Sequence, residues 1–246
     1  MTSQASPAVR SELAPSGKLR AGINYGNFLL VKKDPAGGEP TGVAPDLARE
    51  LGRRVGAPVE FVGYEQAGRL AEGVRADAWD IAFLGNEPQR ANEIAFSAAY
   101  LEIEVTYLVP AGSPIRSIAE VDRPGVRIAV ADKAAYDLYL SRNLKHAELV
   151  RAEGIQGSYD LFVNQKLDVL AGLKPRLVSD VEKLPGSRLL DGRIMAVQQS
   201  IGSPRGRDAA ARFVRDFVDD VKASGFVAKA IERHGVRGVS VAPKAV

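Results

Sequence analysis

Cysteine is absent from the 246-residue sequence, which excludes a disulfide framework and thiolate metal sites. Histidine is nearly absent. The two copies, His146 and His234, lie far apart in the chain, so no metal centre is expected. No apolar run approaches the ~20 residues that span a bilayer. Met1 to Gly17 is polar, without the apolar stretch or cleavage site of a secretion signal. The chain is therefore read as periplasmic if a signal peptide was removed and cytoplasmic if Met1 is the native start. The G-x-x-x-x-G-K-[ST] phosphate loop is also missing, so any nucleotide chemistry belongs to another subunit. Lys plus Arg exceed Asp plus Glu only by 33 to 30. These charges are scattered and form no basic stripe for nucleic acid.

What is present is an ordinary globular composition, 46% hydrophobic and 26% charged. That is enough to bury a core in one large domain or two of average size. Strand-length apolar segments alternate with segments of helical period. Leu19–Ile23 predicts a strand, with a loop at Asn24-Tyr25-Gly26-Asn27 beyond it. Leu47, Leu51 and Val55 recur at helical spacing behind Pro45, and Gly56 ends that helix. Val59–Val62 predicts the next strand, with Tyr64 past its end. Ala67, Leu70 and Val74 mark a helix, and Trp79 leads into Ile81–Leu84, which reads as a buried parallel strand. Further strands are expected at Glu102–Val109, Arg127–Ala131, Lys166–Leu170 and Met195–Ile201. Ser203-Pro204 reads as the start of a long helix carrying Phe213, Phe217, Val218 and Val221 on one face. The repetition predicts parallel sheets with right-handed crossovers.

The stretch from Asp80 to Tyr100, DIAFLGNEPQRANEIAFSAAY, organises the rest. Its strand breaks at Gly85-Asn86, putting a loop at the carboxyl end, where open α/β sheets bind ligands. Arg90 in that loop reads either as a solvated charge or as a bidentate clamp for a carboxylate. The spacing R-x-x-x-x-x-F-S-x-x-Y is carried by Arg90, Phe96, Ser97 and Tyr100, with Ile94 inside it. This pattern resembles the signature of the amino-acid-binding family of ABC-transporter solute-binding proteins. Gly85, Glu87, Gln89 and Ala99 depart from the family's usual side chains. Weaker likeness runs from Leu19 to about Gly235. It includes Gly42 to Ala48, similar to the family's helix entry, and Lys166 to Leu170, similar to its G-x-[IVL]-D-A strand.

The resemblance implies an α/β, two-lobed periplasmic-binding-protein-like type II fold, each lobe a mostly parallel sheet flanked by helices. Lobe 1 is expected at residues 18–109 and 196–238, and lobe 2 at 110–195. Residues 1–17 are expected as a flexible N-terminal segment and 239–246 as a C-terminal tail. Hinge strands are expected near Val105–Val109 and Met195–Gln199. The implied function is binding of a small amino acid or related carboxylate between lobes that close over it. The implied partner is an ABC permease, with a monomeric chain, no cofactor, no nucleic acid and no catalysis. Two rivals share the fold. One is a cyclohexadienyl dehydratase-like lyase, whose general acid would need a raised pKa and for which Glu87 and Asp132 are the candidates. The other is a ligand receptor for a sensor.

Under the same resemblance, ligand contacts are expected from Asn24 and Tyr25, with Phe28 as an alternative ring. Tyr64 reads equally as a stacking ring or as a half-buried loop residue. Gly85, Asn86, Glu87 and Arg90 are expected from the central loop. Lys133, Ala134, Ala135 and Tyr136 are expected from a helix start whose backbone N–H groups favour an anion. The family holds a ligand ammonium with a carboxylate five residues after the strand's Asp, and that position is Leu173 here. A second partner, a hydroxyl five residues before the Arg, is Gly85 here. These losses predict an anionic, amine-free ligand between Arg90 and Lys133. Glu87 replacing the lost acceptor would restore an ordinary amino-acid site, and Lys133 pointing to solvent would leave a largely apolar cleft.

Overall fold

The computed structural model describes residues 5–244. The chain forms two compact units, one reaching up to Glu102 and resuming at Gln198, the other Ile103–Val197. The first unit contributes α1 (Pro7–Leu13), β1 (Leu19–Asn24), α2 (Val43–Val55), β2 (Val59–Tyr64), α3 (Ala67–Glu72), β3 (Ile81–Gly85) and β4 (Ile94–Phe96). Strand β5 (Leu101–Val109) carries the chain into the second unit. There follow β6 (Arg127–Ala131), α4 (Ala135–Asn143), β7 (Glu148–Ala152), α5 (Gly154–Asn164), β8 (Val169–Leu173), α6 (Lys174–Val181) and β9 (Arg188–Leu189). Strand β10 (Met195–Pro204) returns the chain to the first unit, which ends with α7 (Asp208–Ala223), α8 (Phe226–Arg233) and β11 (Val239–Val241).

The two units repeat one plan. In the first, β1 runs parallel to β2 and β3, and β10 lies antiparallel to β3 with Ser200 opposite Leu84. In the second, β6 runs parallel to β7 and β8, and β5 lies antiparallel to β8 with Val105 opposite Leu173. Strands β3 and β8 are buried throughout, as their uninterrupted apolar runs require of parallel strands covered on both faces. The first unit's core sets Leu47, Leu51 and Val55 of α2 beside Leu19, Ala21 and Ile23 of β1, all without exposure. Trp79 is also fully buried, and its indole N–H donates to the Leu70 carbonyl at 3.0 Å. Gly22 makes room for it: a Cβ there would stand 2.6 Å from Leu70 Cδ1 and 3.1 Å from the indole.

A matching device starts the buried strand of each unit. Asp80 accepts the Arg20 N–H at 2.9 Å and returns its own N–H to the Arg20 carbonyl at 2.8 Å. Asp168 accepts the Arg127 N–H at 2.8 Å and returns its own to the Arg127 carbonyl at 3.2 Å. Each arginine side chain also reaches a carbonyl just upstream, that of Asp77 or Lys166. Both of these residues are left-handed, at φ 47° and 48°. The copies differ in burial. Asp80 is fully buried and gains Arg207 Nη1 at 2.8 Å, whereas the Asp168 side chain is 43% exposed.

Four expectations need correction. Residues 1–4 lie outside the described residues, but Pro7–Leu13 is a helix rather than a flexible segment. Ser6 Oγ caps it by accepting the Val9 N–H at 3.3 Å. Val9 and Leu13 form a short buried stripe, and Arg207 and the Ala210 N–H bind Glu12. The expected tail also contains structure, since β11 is followed by buried Ala242, whose N–H donates to the Tyr100 carbonyl at 3.2 Å; residues 245–246 lie outside the described residues. The division between units falls before Val109 because Val105–Leu108 already pair with β8. Ser203-Pro204 does not open a helix. Ser203 pairs with Ala95 in the β10–β4 ladder, and α7 begins at Asp208.

Candidate functional site

In the first unit the loops at the carboxyl ends of β1, β2 and β3 hold the expected residues. The β3 loop carries the charge. Glu87 and Arg90 are joined by a tight turn in which the Glu87 carbonyl accepts the Arg90 N–H at 2.9 Å and the Ala91 N–H at 3.0 Å. Both side chains are buried, Glu87 at 3% exposure and Arg90 at 6%. The guanidinium curls back so that Nη1 donates to the Gly85 carbonyl at 2.8 Å. Burial pushes the Arg90 pKa down to about 10, and the charge of Glu87 works against that shift. Arg90 is therefore no solvated surface charge. Asn86 is exposed, and its N–H extends the β3–β10 ladder to the Gln198 carbonyl at 2.8 Å.

The aromatic expectations fare differently. Tyr25 lies across Gly63, where a Cβ would stand 2.1 Å from its ring, and Lys33 Nζ sits 5.0 Å from the ring centroid. Asn24 shapes its own loop, Oδ1 accepting the Gly26 N–H at 3.0 Å. Tyr64 turns inward onto the cluster of Leu70 and Trp79, its hydroxyl beside Gly73. It is partly buried there, as a half-buried loop residue would be. Phe28 is 40% exposed. Asn27 escaped the sequence reading. It is 7% exposed, and its buried Oδ1 has no hydrogen-bond partner among the described residues. The N-Y-G-N spacing carried no signal that the second Asn turns inward.

In the second unit the expected residues Lys133 to Tyr136 lie at the α4 entry. Lys133 is exposed and left-handed at φ 54°, and its N–H donates to Asp137 Oδ2 at 2.8 Å. Asp137, only 2% exposed, also takes Arg151 Nη2 at 3.0 Å and Nε at 3.1 Å. Asp137 thus takes the Lys133 N–H two residues ahead of α4, whose N-cap Ala134 receives no side-chain hydrogen bond. The Ala134 N–H is also taken, by the Ala131 carbonyl at 3.1 Å. Ala135 and Tyr136 are buried at 7% and 2% exposure, and burial pushes the Tyr136 phenol pKa upward. Tyr136 is among the largest fully buried side chains of the described residues. Leu173 is 5% exposed at the end of β8, and Lys174 beside it pairs with Glu104 at 2.8 Å. Asp132 lies 3.9 Å from Arg151. Among the described residues, no group of three His, Asp or Glu is placed to hold a metal ion.

Two α/β units of matching strand order, linked by a chain that passes between them twice, define a type II periplasmic-binding-protein fold. Solved structures share it. The solute receptor for L-cysteine of Neisseria gonorrhoeae is 20% identical, covers 95% of this chain and 96% of its own, and superposes with a TM-score of 0.78. A mutant of ArgBP from T. maritima is 20% identical, with 93% and 99% covered and a TM-score of 0.75. An ancestral amino acid-binding protein, described as a precursor of cyclohexadienyl dehydratase, is 21% identical, with 91% and 97% covered and a TM-score of 0.74. No curated protein matches the chain. The chain belongs to the bacterial extracellular solute-binding proteins, family 3, whose model matches residues 19–236. It is a solute-binding protein of the ABC-transporter class.

Proposed function

We propose that this chain is the periplasmic binding component for an ABC permease and that its ligand is an α-amino acid. Arg90 takes the carboxylate and Glu87 the ammonium. The observation that carries this reading is the burial of both opposite charges in one loop, at 6% and 3% exposure. A guanidinium withdrawn from water is stabilised by an ionic partner, and its planar fork matches the two oxygens of a carboxylate. Because Glu87 already offsets Arg90, an amine-free anion would leave the loop with excess negative charge. A zwitterion keeps the balance. This reverses the preference drawn from Leu173 and Gly85 and makes Glu87 the replacement acceptor, with Asn27 Oδ1 as a second. Proteins of the same fold bind arginine, lysine and L-cysteine.

A thermal-shift panel tests the reading by pairing each α-amino acid with its 2-oxo and 2-hydroxy analogue. At least one amino acid should stabilise the protein, and its analogues should not. Losing a desolvated charge-assisted contact costs about 2–5 kcal/mol, so Arg90→Ala should weaken that amino acid ~30-fold or more. Glu87→Gln should narrow the gap between the amino acid and its analogues. Equal binding of the amine-free acids by the parent protein would reject the ammonium role. The protein acts here by binding rather than by catalysis. The dehydratase-related neighbour is the reason to check, and absence of prephenate or arogenate turnover by absorbance is the expected result.

A further inference from the structure

We infer that the second unit carries its own small-molecule site, built without any residue of the first, for an amphipathic carboxylate: a hydrocarbon tail ending in one anionic group. Between the end of α5 and the turn after α6 lies an open pocket of about 360 Å³, within the ~300–1,000 Å³ typical of small-molecule sites. Its walls are Phe162, Leu167 and Leu184, members or neighbours of the second unit's apolar core. Val163 stands at the mouth, a large apolar side chain left 39% exposed. Two polar groups interrupt these walls, and neither is explained by packing.

The first is Ser187. The turn Leu184-Pro185-Gly186-Ser187 closes with the Ser187 N–H on the Leu184 carbonyl at 3.0 Å, with Gly186 at φ 80°. This is the type II arrangement, with Pro second and Gly third. It fixes Ser187 in the pocket wall, where Oγ is buried and has no hydrogen-bond partner among the described residues. Buried hydroxyls nearly always have a partner, so an orphan in a pocket wall marks a place for one. The second is Lys166, an exposed residue held left-handed at φ 48°. Its ammonium has no ion-pair partner among the described residues. Loop shape alone would be met more easily there by Gly or Asn. No acidic side chain lines the pocket. A cation would find no countercharge, and a zwitterion would have to bury an unpaired ammonium against hydrocarbon. A single carboxylate finds Lys166 at the rim and the Ser187 hydroxyl in the wall, while the tail displaces water from the Phe162 side.

Octanoate is the probe, titrated calorimetrically into the full chain, with octan-1-ol and octylamine as controls. Octanoate should bind more tightly than either control. Val163→Trp fills the mouth from an exposed position and should weaken octanoate at least ~10-fold, a difference calorimetry resolves readily. Lys166→Asn keeps a residue that accepts the left-handed conformation. It should weaken octanoate and leave octan-1-ol unchanged, and it carries the test should the tryptophan variant fail to fold. Absence of octanoate binding, equal binding of the alcohol or amine, or undiminished binding by the variants would each overturn the inference. So would octanoate heat that vanishes in Arg90→Ala, because the acid would then sit at the β3 loop.

Discussion

The R-x-x-x-x-x-F-S-x-x-Y spacing divides into one residue for the site and several for the scaffold. Arg90 is the residue we propose for the site. Ser97 instead splices β10 to the loop, its Oγ accepting the Ile201 N–H at 3.1 Å and donating to the Ala98 carbonyl at 2.7 Å. Ile94 and Phe96 close over Gly202, where a Cβ would meet them at 2.3 and 3.1 Å. Tyr100 is fully buried, edge-on to Phe83 at 6.1 Å between centroids, and burial pushes its phenol pKa upward. Its hydroxyl has no hydrogen-bond partner among the described residues. A buried donor without a partner forfeits its hydration, so Tyr100→Phe should stabilise the fold by about 1 kcal/mol in urea unfolding. Ligand affinity should not change. A net loss of stability would show that the hydroxyl makes a bond after all.

Among the elements, the duplicated Asp–Arg device gives a paired prediction. Asp80 is fully buried and bound by Arg20 and Arg207. Asp80→Ala removes the buried carboxylate that both guanidinium groups share, leaves them only the exposed Asp77 as an ionic partner, and should cost about 3–5 kcal/mol. Asp168 is half-exposed and chiefly holds one backbone N–H, so Asp168→Ala should cost about 1 kcal/mol. Equal losses in denaturant titrations would mean that burial does not separate the two copies. Leu13→Ala should cost about 2–5 kcal/mol, since Leu13 is fully buried under α1 and a cavity adds to the lost transfer energy. What was legible follows from this physics. Strands β1, β2 and β3 and helix α2 were readable because their apolar periods span whole elements. Helix α1 was not, because Val9 and Leu13 are its only buried positions among polar neighbours. The β3 loop was legible through its Arg spacing. The inward turns of Tyr64 and Tyr136, and the reach of Asp137 back to Lys133, were not, since tertiary packing and a local cap decide them and neither leaves a period in sequence.

For the whole molecule, the two units share a strand plan but divide their charges differently, and acid should unfold both for one reason. Glu50 on α2 accepts Arg53 Nε and Nη2 and Arg54 Nε, each at 2.8 Å. The Arg53 bond chiefly holds its pKa at about 2 rather than the ordinary 4.5, with burial opposing. Glu104 is lowered first by Lys174, Glu120 by the Arg116 N–H and Asp122 by the Ala147 N–H. A carboxyl group whose folded pKa lies below its unfolded one binds fewer protons when folded. Its contribution is complete above the unfolded value and is lost as pH falls through the folded one. Unfolding free energy should therefore hold near neutrality and decline between about pH 4.5 and 2, the window set by Glu50. Glu50→Gln cannot ionise, so it should be less stable than the parent near neutrality. The gap should close as the parent's Glu50 takes up its proton. Urea titrations at stepped pH would show the two curves converging in acid, and curves that stay parallel throughout that window would remove Glu50 as the source of the acid lability.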